Sequence, residues 1–385
     1  MAKFRVEENY PLASLTTFNL GGPARYYVSV RTEAGFLEAL NFAKSRDIPI
    51  FILGGGSNIL VSDRGFDGLV IRNGIRGVTN RTDGGSAFVH VGAGEDWQEF
   101  VDWCISENLQ GVECLAGIPG TVGAAPVQNI GAYGQDVSET IFEIKAIEVD
   151  TGKPVLFKNE VCGFGYRASI FNSTSDGRYC ITGVTLKLKK NGKPPITHPD
   201  LANRLKEARK FTIRHVRDSI IDIRGGKGLL VRKGHERFRC AGSFFKNPVL
   251  PAERAREIEE GLQSPGAYRS WPLGIGEVKI AAAGLIEGAG FRPGYRKGNV
   301  GLSPKHALVV IAHSGATAQE VIEFTEEIQE KVKEKFDILL RPEIRLVGFA
   351  HSCPGGRLLS SAIFDLPDKD ASPQRSKALR PLPPV

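Results

Sequence analysis

Three short stretches of this sequence carry side chains suited to acid–base or electrostatic chemistry. Two more carry backbone suited to holding an anion. Tyr166-Arg167 lies in GFGYRASIF. A buried arginine needs an anionic partner, which is either a structural carboxylate or the carboxylate of a substrate. Ser243 lies in AGSFFKNP, where a lone serine near glycine serves a turn or supplies a hydroxyl. His235, the nearest histidine in sequence, forms no motif that would make it a base for Ser243, so a serine-nucleophile pattern is weak. Glu343 follows Pro342 beside the last apolar run and suits an ion-paired glutamate as well as a catalytic one. Gly54-Gly55-Gly56-Ser57-Asn58 comes directly after the apolar run Ile48–Leu53, so its N–H groups and the Ser57 and Asn58 side chains could face a phosphate. Gly117–Gly134, GIPGTVGAAPVQNIGAYG, has five glycines, two prolines and no charged residue. Such a stretch is an ordered turn packed on the core or a loop whose bare N–H groups cradle an anion. Two uncharged glycine loops in one half of the chain favour a dinucleotide held by its diphosphate.

The elements around these stretches alternate. Residues 1–15 read as an irregular lead-in. An apolar segment follows near Tyr26–Val30, then a helix over Glu33–Ser45 with Phe36, Leu37, Leu40 and Ala43 roughly on one face. Leu69–Ile71 and Ala87–Val91 have strand character, and Asp96–Asn108 reads as a helix with Trp97, Phe100, Val101 and Cys104 inward. Strand-like runs return at Glu143–Val149 and Ile181–Lys187. Lys189–Pro199, rich in Lys, Gly and Pro, marks a boundary. Beyond it the spacing predicts helices over Pro199–Lys210 and Thr212–Ile221, a basic glycine turn at Ile223–Gly228, and a helix over Leu250–Leu262. A small-residue helix over Val278–Ile286 comes next, then a buried strand at Ala307–Ala312. A long helix over Ala318–Phe336 and a strand over Arg341–Gly348 close the folded part. From about residue 351 Ser, Pro and basic residues dominate, as in a disordered tail. The order of elements indicates an α+β protein. It is not a Rossmann unit, because no GxGxxG follows a first strand and no GxxxxGK[ST] is present.

Composition narrows the function classes. The 385 residues are 41% hydrophobic and 24% charged, ordinary for globular domains. The net charge of +7 contains no basic run dense enough for nucleic acid. Six cysteines lack CxxC spacing and seven histidines lack HxH or HxxxH pairing, so no metal is expected. The start, MAKFRVEENYPLASL, lacks a signal-peptide apolar core, and no apolar run reaches membrane-spanning length. These features lead to the expectation of a cytoplasmic protein with reduced thiols.

Taken together, the motifs have a family likeness. LTTFNLGGPA, ILGGGSNILVSD, VGAGEDW, GIPGTVGAAPVQNIGAYG, FGYRASIF, AGSFFKNP and RPEIRLVG occur in that order over about residues 16–349. Each is weakly specific and the ordered set is highly specific. The sequence resembles the UDP-N-acetylenolpyruvoylglucosamine reductases, the MurB flavoenzymes of bacterial peptidoglycan synthesis. A rival within the same FAD-binding superfamily, an oxidase of alcohols or lactones, would lack the AGSFFKNP and RPEIRLVG pair. A nucleotide-binding scaffold with a degraded site would not keep Arg167, Ser243 and Glu343 together.

The resemblance implies an FAD-binding region of the vanillyl-alcohol-oxidase (PCMH) type over residues 16–190, made of two α+β subdomains. An α+β substrate-binding domain over 191–349 would follow; the tail over 350–385 has no recognised counterpart in the family and is given no function. It implies FAD contacts from Gly54, Gly55, Gly56, Ser57 and Asn58. Further contacts would come from Gly117, Ile118, Pro119, Gly120, Gly123, Ala124, Gln128, Asn129, Gly131, Ala132, Tyr133 and Gly134. Arg167, Ser243 and Glu343 match the family's catalytic residues. Tyr166, Lys227, Asn247 and Glu287 match substrate positions, with Arg167 serving there as well. NADPH is the implied hydride donor and a small-molecule sugar nucleotide the implied acceptor. Hydride would pass from FAD N5 to C3 of the enolpyruvyl group and a proton from Ser243 to C2. The spacing between Tyr166 and Ser243 resembles type I members, which close a tyrosine over the ligand. Here His198-Pro199 stands at that position, before Asp200-Leu201.

Overall fold

The computed structural model describes residues 5–194, 196–206, 211–231, 239–261, 269–274 and 276–349. The expected tail lies outside the described residues.

The first sheet has strand order β1-β2-β5-β3, from β1 (Glu7–Pro11), β2 (Pro23–Val30), β5 (Phe66–Asn73) and β3 (Ile50–Leu53). Strands β2, β5 and β3 are parallel, and β1 joins antiparallel at the edge. Helix α1 (Glu33–Lys44) crosses over between β2 and β3. It starts where Thr32 Oγ1 accepts the Gly35 N–H at 3.1 Å. Its Phe36, Ala39, Leu40 and Ala43 pack with Val28, Val30, Leu69 and Ile71. The lead-in is therefore not irregular through residue 15. Strand β1 is an edge strand of exposed Glu and Asn, whose polarity hides it from an apolar-run reading, and Tyr10 stacks on Tyr27 at 3.9 Å.

The second sheet has order β12-β11-β13-β7-β6. Its strands are β12 (Pro154–Lys158), β11 (Ile141–Glu148), β13 (Tyr179–Lys190), β7 (Ser86–Gly92) and β6 (Val78–Asp83), all antiparallel. Short β8 (Leu109–Gln110) pairs with the end of β13. Helix α2 (Trp97–Ser106) covers this sheet with Trp97, Phe100, Val101, Cys104 and Ile105 buried. Two helices beyond the Lys189–Pro199 boundary share that core: Leu201 and Leu205 of α3 (Pro199–Leu205), and Ile213, Val216 and Ile220 of α4 (Ile213–Gly226). The expected glycine turn at Ile223–Gly228 is instead the last turn of α4, with Lys227 as its C-cap. Helix α3 stops at Leu205, and residues 207–210 of its expected extension lie outside the described residues.

The last core is built on two three-stranded sheets. One is β14 (Val249–Pro251), β16 (Glu277–Ile280) and β15 (Ser270–Pro272), in the order β14-β16-β15. The other is β17 (Arg296–Lys297), β18 (Val300–Ser303) and β19 (His306–Ala312). Helices α5 (Ala252–Gly261), α6 (Ala282–Gly288) and α7 (Ala318–Phe336) accompany them. Helix α7 follows its sequence periodicity, with Val321, Phe324, Ile328 and Val332 buried between a Thr317–Glu320 capping box and a left-handed Asp337. The expected helix over Val278–Ile286 is split, with β16 running to Ile280 before α6 begins. Small residues read as helix, but Val278 and Lys279 pair in the ladder with β14 and β15.

Two contacts bind the end of the chain to its beginning. Strand β20 (Arg345–Val347), shorter than expected, pairs parallel with β4 (Ile59–Val61). Asp63, just after β4, accepts the Ala318 and Gln319 N–H groups at the start of α7 at 2.8 and 2.9 Å. Between β3 and β4 runs Gly54–Asn58. Gly56 has φ +66°, and a Cβ there would lie 1.9 Å from Leu15 O. We expect Gly56→Ala to cost about 2 kcal/mol or more in urea unfolding. Gly84→Ala is the control, because Gly84 has φ +52° with nothing within 4 Å. It should cost about 1–2 kcal/mol from backbone handedness alone.

Candidate active site

The two glycine loops meet. A Cβ on Gly55 would fall 2.7 Å from Gly120 Cα, and one on Gly54 would fall 3.0 Å from Thr121 Oγ1. Ser57 Oγ donates to Pro119 O at 3.0 Å, and Asn58 Nδ2 donates to Gln128 Oε1 at 2.5 Å and to Glu343 O at 3.1 Å. Ser57 and Asn58 thus spend these side-chain bonds fastening loop to loop and loop to Glu343. The second loop is anchored behind: Gly123 N donates to Ala93 O, and a Cβ on Gly123 would meet the Ala93 Cβ at 2.4 Å. Ile118 packs against the core of the second sheet, and Ala124 N closes a turn onto Thr121 O. The loop ends in a hairpin, β9 (Gly131–Ala132) and β10 (Gln135–Asp136), which a loop reading did not foresee.

Arg167 lies at the centre. Its Nε donates to Glu343 Oε1 at 2.9 Å, its Nη2 to Gly131 O at 2.7 Å and its Nη1 to Asn129 O at 3.5 Å. The two side chains of the ion pair are only 19% and 13% exposed, so the pairing is poorly screened. Burial pushes the Glu343 carboxyl above the usual range, against the pull of Arg167 and Lys246. Arg167 also takes a left-handed φ of +52°. Apart from Tyr133 at +51°, the other described non-glycine residues with positive φ are Asn or Asp, which tolerate that region. Both bulky exceptions therefore sit at this site.

AGSFFKNP is laid between β19 and the segment before β20. Ser243 bridges to Val309, Phe244 O accepts the Glu343 N–H at 2.7 Å, and Phe245 bridges to Pro342. Ser243 is therefore one residue from the strand position facing Glu343. Tyr166 Oη accepts the Asn247 N–H at 3.3 Å, while Asn247 Oδ1 accepts the Ala282 N–H at 3.0 Å. Burial raises the Tyr166 hydroxyl. Glu287, in the last turn of α6, has no ion-pair partner among the described residues, and burial raises its carboxyl.

A second group lies beside the hairpin. The Tyr133 and His198 rings meet edge-on at 5.0 Å, and Lys227 Nζ is 5.7 Å from the Tyr133 ring centroid. His198 caps α3, its Nδ1 accepting the Asp200 N–H at 3.2 Å, and burial lowers its pKa. Lys227 is held by Asp200 at 2.5 Å. Arg269 reaches the same carboxylate at 3.5 Å. A cavity of about 330 Å³ opens beside this group, lined by His198, Pro199, Asp200, Asn203, Arg269, Ser270 and Trp271.

Three charged residues here escaped the sequence reading. Lys279 Nζ lies 4.6 Å from the Tyr166 ring, and burial followed by repulsion from Arg167 lowers its pKa. Asp136 stands opposite Gly131 in the hairpin. Arg224, one helical turn before Lys227, is half-buried; its Nη2 donates to Leu229 O at 3.2 Å, while its buried Nε has no hydrogen-bond partner. A Cβ on Gly117 would sit 3.0 Å from that Nε. A periodicity reading finds no apolar stripe in such residues, and only their tertiary neighbours give them meaning. A guanidinium with one buried N–H left unpartnered beside two touching glycine loops fits an anionic dinucleotide. Among the described residues no three or more His, Cys, Asp or Glu side chains could hold a metal ion. No helix among them is long and apolar enough to cross a membrane.

The FAD binding domain family matches residues 24–156. The family described as UDP-N-acetylenolpyruvoylglucosamine reductase, C-terminal domain, matches residues 234–347. A UDP-N-acetylenolpyruvoylglucosamine reductase of Thermobifida fusca is 37% identical, covering 88% of this chain and 97% of its own. One from Amoebophilus asiaticus is 38% identical, covering 89% and 99%. The crystal structure of the MurB enzyme from Thermus caldophilus superposes with a TM-score of 0.62 at 26% identity, covering 90% of this chain and 100% of that one. An FAD binding domain is thus followed by the reductase C-terminal domain. With both halves matched in order and nearly the full length aligned, this chain belongs to the UDP-N-acetylenolpyruvoylglucosamine reductase family of FAD-dependent oxidoreductases.

Proposed function

We propose that the protein reduces the enolpyruvyl group of UDP-N-acetylglucosamine enolpyruvate with electrons from NADPH, giving UDP-N-acetylmuramate for peptidoglycan precursors. The observation that carries this reading is the buried Arg167–Glu343 pair beside the AGSFFKNP segment. Bound FAD supplies hydride transfer, and the chain supplies position and charge. In this reading residues 16–190 hold FAD, with Gly54–Asn58 and Gly117–Gly134 as its walls, and residues 191–349 hold the sugar nucleotide.

When hydride reaches C3 of the enolpyruvyl group, charge develops at C2 and spreads into the carboxylate. Arg167, fixed through Nε, Nη1 and Nη2, meets that carboxylate with a cation that needs no reorganisation. Burial raises the Glu343 carboxyl against the pull of Arg167, so a protonated Glu343 is the form that would donate a hydrogen bond to the developing charge. Ser243 delivers the proton to C2, a role a hydroxyl can fill when aimed in a dry site. Lys227 and Asn247 hold the diphosphate and nucleotide portion, Tyr166 and Glu287 contact substrate, and His198 closes over it. Because Asp200 already holds Lys227, an incoming diphosphate exchanges one anion for another at that lysine.

The purified protein should be yellow and should oxidise NADPH only when the enolpyruvyl sugar nucleotide is present. NADPH consumption indifferent to that substrate would sink the reading. Ser243→Ala should leave flavin reduction by NADPH near normal and slow reoxidation by substrate by about 10³-fold, both followed by the flavin spectrum in stopped flow. Equal losses in the two half-reactions would mark Ser243 as structural.

A further inference from the structure

The site holds a cation for which the reading above has no use. Lys279 lies on β16, the middle strand of the β14-β16-β15 sheet, opposite Val249 on one side and Trp271 on the other. Alternation along the strand decides which way it points. Its neighbour Val278 and that residue's partner Leu250 pack on the last core, so Lys279 and Trp271 share the opposite face. There the Lys279 Nζ lies 5.5 Å from the Trp271 ring centroid and 4.6 Å from that of Tyr166. The chain entering β14 ties the sheet to Tyr166. The Tyr166 hydroxyl accepts the Asn247 N–H at 3.3 Å, and Pro248 O accepts the Ile280 N–H at 2.9 Å.

Two cations thus flank the Tyr166 ring, because Arg167 Cζ lies 5.4 Å from the same centroid. They are not equivalent. Arg167 is answered by Glu343 and two carbonyls. The Lys279 ammonium makes no hydrogen bond or ion pair among the described residues, and its contacts are the two rings. Ring faces attract an ammonium but leave its three N–H donors without acceptors. A half-buried donor group in that state points to an acceptor that a ligand brings. Trp271 also lines the cavity of about 330 Å³ beside His198, Asp200 and Arg269. The row Tyr166, Lys279, Trp271 therefore leads from Arg167 to that cavity. A ligand whose reactive end meets Arg167 and whose far end reaches the cavity passes Lys279 with the groups in between.

We propose that Lys279 binds a phosphate of the sugar nucleotide, as the unpaired cation on the path from the Trp271-lined cavity to Arg167. The proposal rests on the reading of the ligand as a sugar nucleotide, in which the diphosphate lies between the reactive end and the nucleoside. Lys227 takes a phosphate only by giving up Asp200, whereas Lys279 has no carboxylate to release. The two rings hold its stem and head in place before the ligand arrives, so little side-chain freedom is lost on binding.

The test is the binding of UDP to the oxidised holoenzyme, followed by calorimetry. Lys279→Met keeps an alkyl stem against both rings and removes the charge. It should retain its flavin and bind UDP about 10- to 100-fold more weakly than the wild type. Lys279→Arg keeps a cation over the rings and should recover most of that loss. In reoxidation of the reduced enzyme by the enolpyruvyl sugar nucleotide, Lys279→Met should raise the half-saturating concentration by more than it lowers the limiting rate. Unchanged UDP affinity in Lys279→Met would overturn the proposal. So would an affinity lost equally in Lys279→Arg, which would mark Lys279 as packing for Tyr166 and Trp271. Loss of flavin from Lys279→Met would assign the residue to the cofactor instead and overturn it too. A wild-type holoenzyme that binds no UDP would overturn the sugar-nucleotide reading itself, and the proposal with it.

Discussion

A guanidinium taken out of water must be answered by acceptors, and here the answer comes from two distant parts of the chain. Arg167 meets carbonyls of the glycine loop at Asn129 and Gly131, and the carboxylate of Glu343 from the segment leading into the last strand. The desolvation cost of the cation is offset only if all of these arrive together. Its left-handed backbone, and that of Tyr133 nearby, adds strain that the surrounding bonds must hold. Loop, hairpin and closing strand therefore converge on one side chain.

Much of this was legible in the sequence where a single physical rule governs a segment. Helix α7 matches its expected span residue for residue, because a long amphipathic period between a Thr cap and a left-handed Asp has no competing solution. Strand β19 and helix α2 were similarly plain. Other segments obey rules a linear pattern does not contain. Strand β1 is polar because it lies at an edge, β16 is read as helix until its ladder partners are known, and residues 223–226 of IRGGKG are helical despite two glycines. In the site, Arg167, Ser243 and Glu343 could be picked out by motif. Lys279, Asp136 and Arg224 could not, because each is an ordinary charged residue whose role depends on the neighbour that folding gives it.

The charged group around Lys227 shows the same economy. Asp200 sits at the start of α3, two residues after His198, and holds Lys227 while Arg269 approaches. Burial alone would raise this carboxyl, but the Lys227 hydrogen bond and charge keep it below the usual range. In the proposed reading it is a tethered anion at high local concentration with which a ligand phosphate would have to compete for the lysine.

The pairing of β20 with β4 also has a temporal side. Arg167 and Glu343 are 176 residues apart, and Asn58 reaches Glu343 across 285. A chain growing from its N-terminus can build both glycine loops and the hairpin long before Glu343 exists. Until residues 345–347 settle beside 59–61, Arg167 lacks its carboxylate and the Ser243 segment lacks its neighbour on the closing strand. In the proposed reading, the walls of the flavin pocket can therefore form before the Arg167–Glu343 pair does, so a half-made chain would hold a flavin site without its reactive partner.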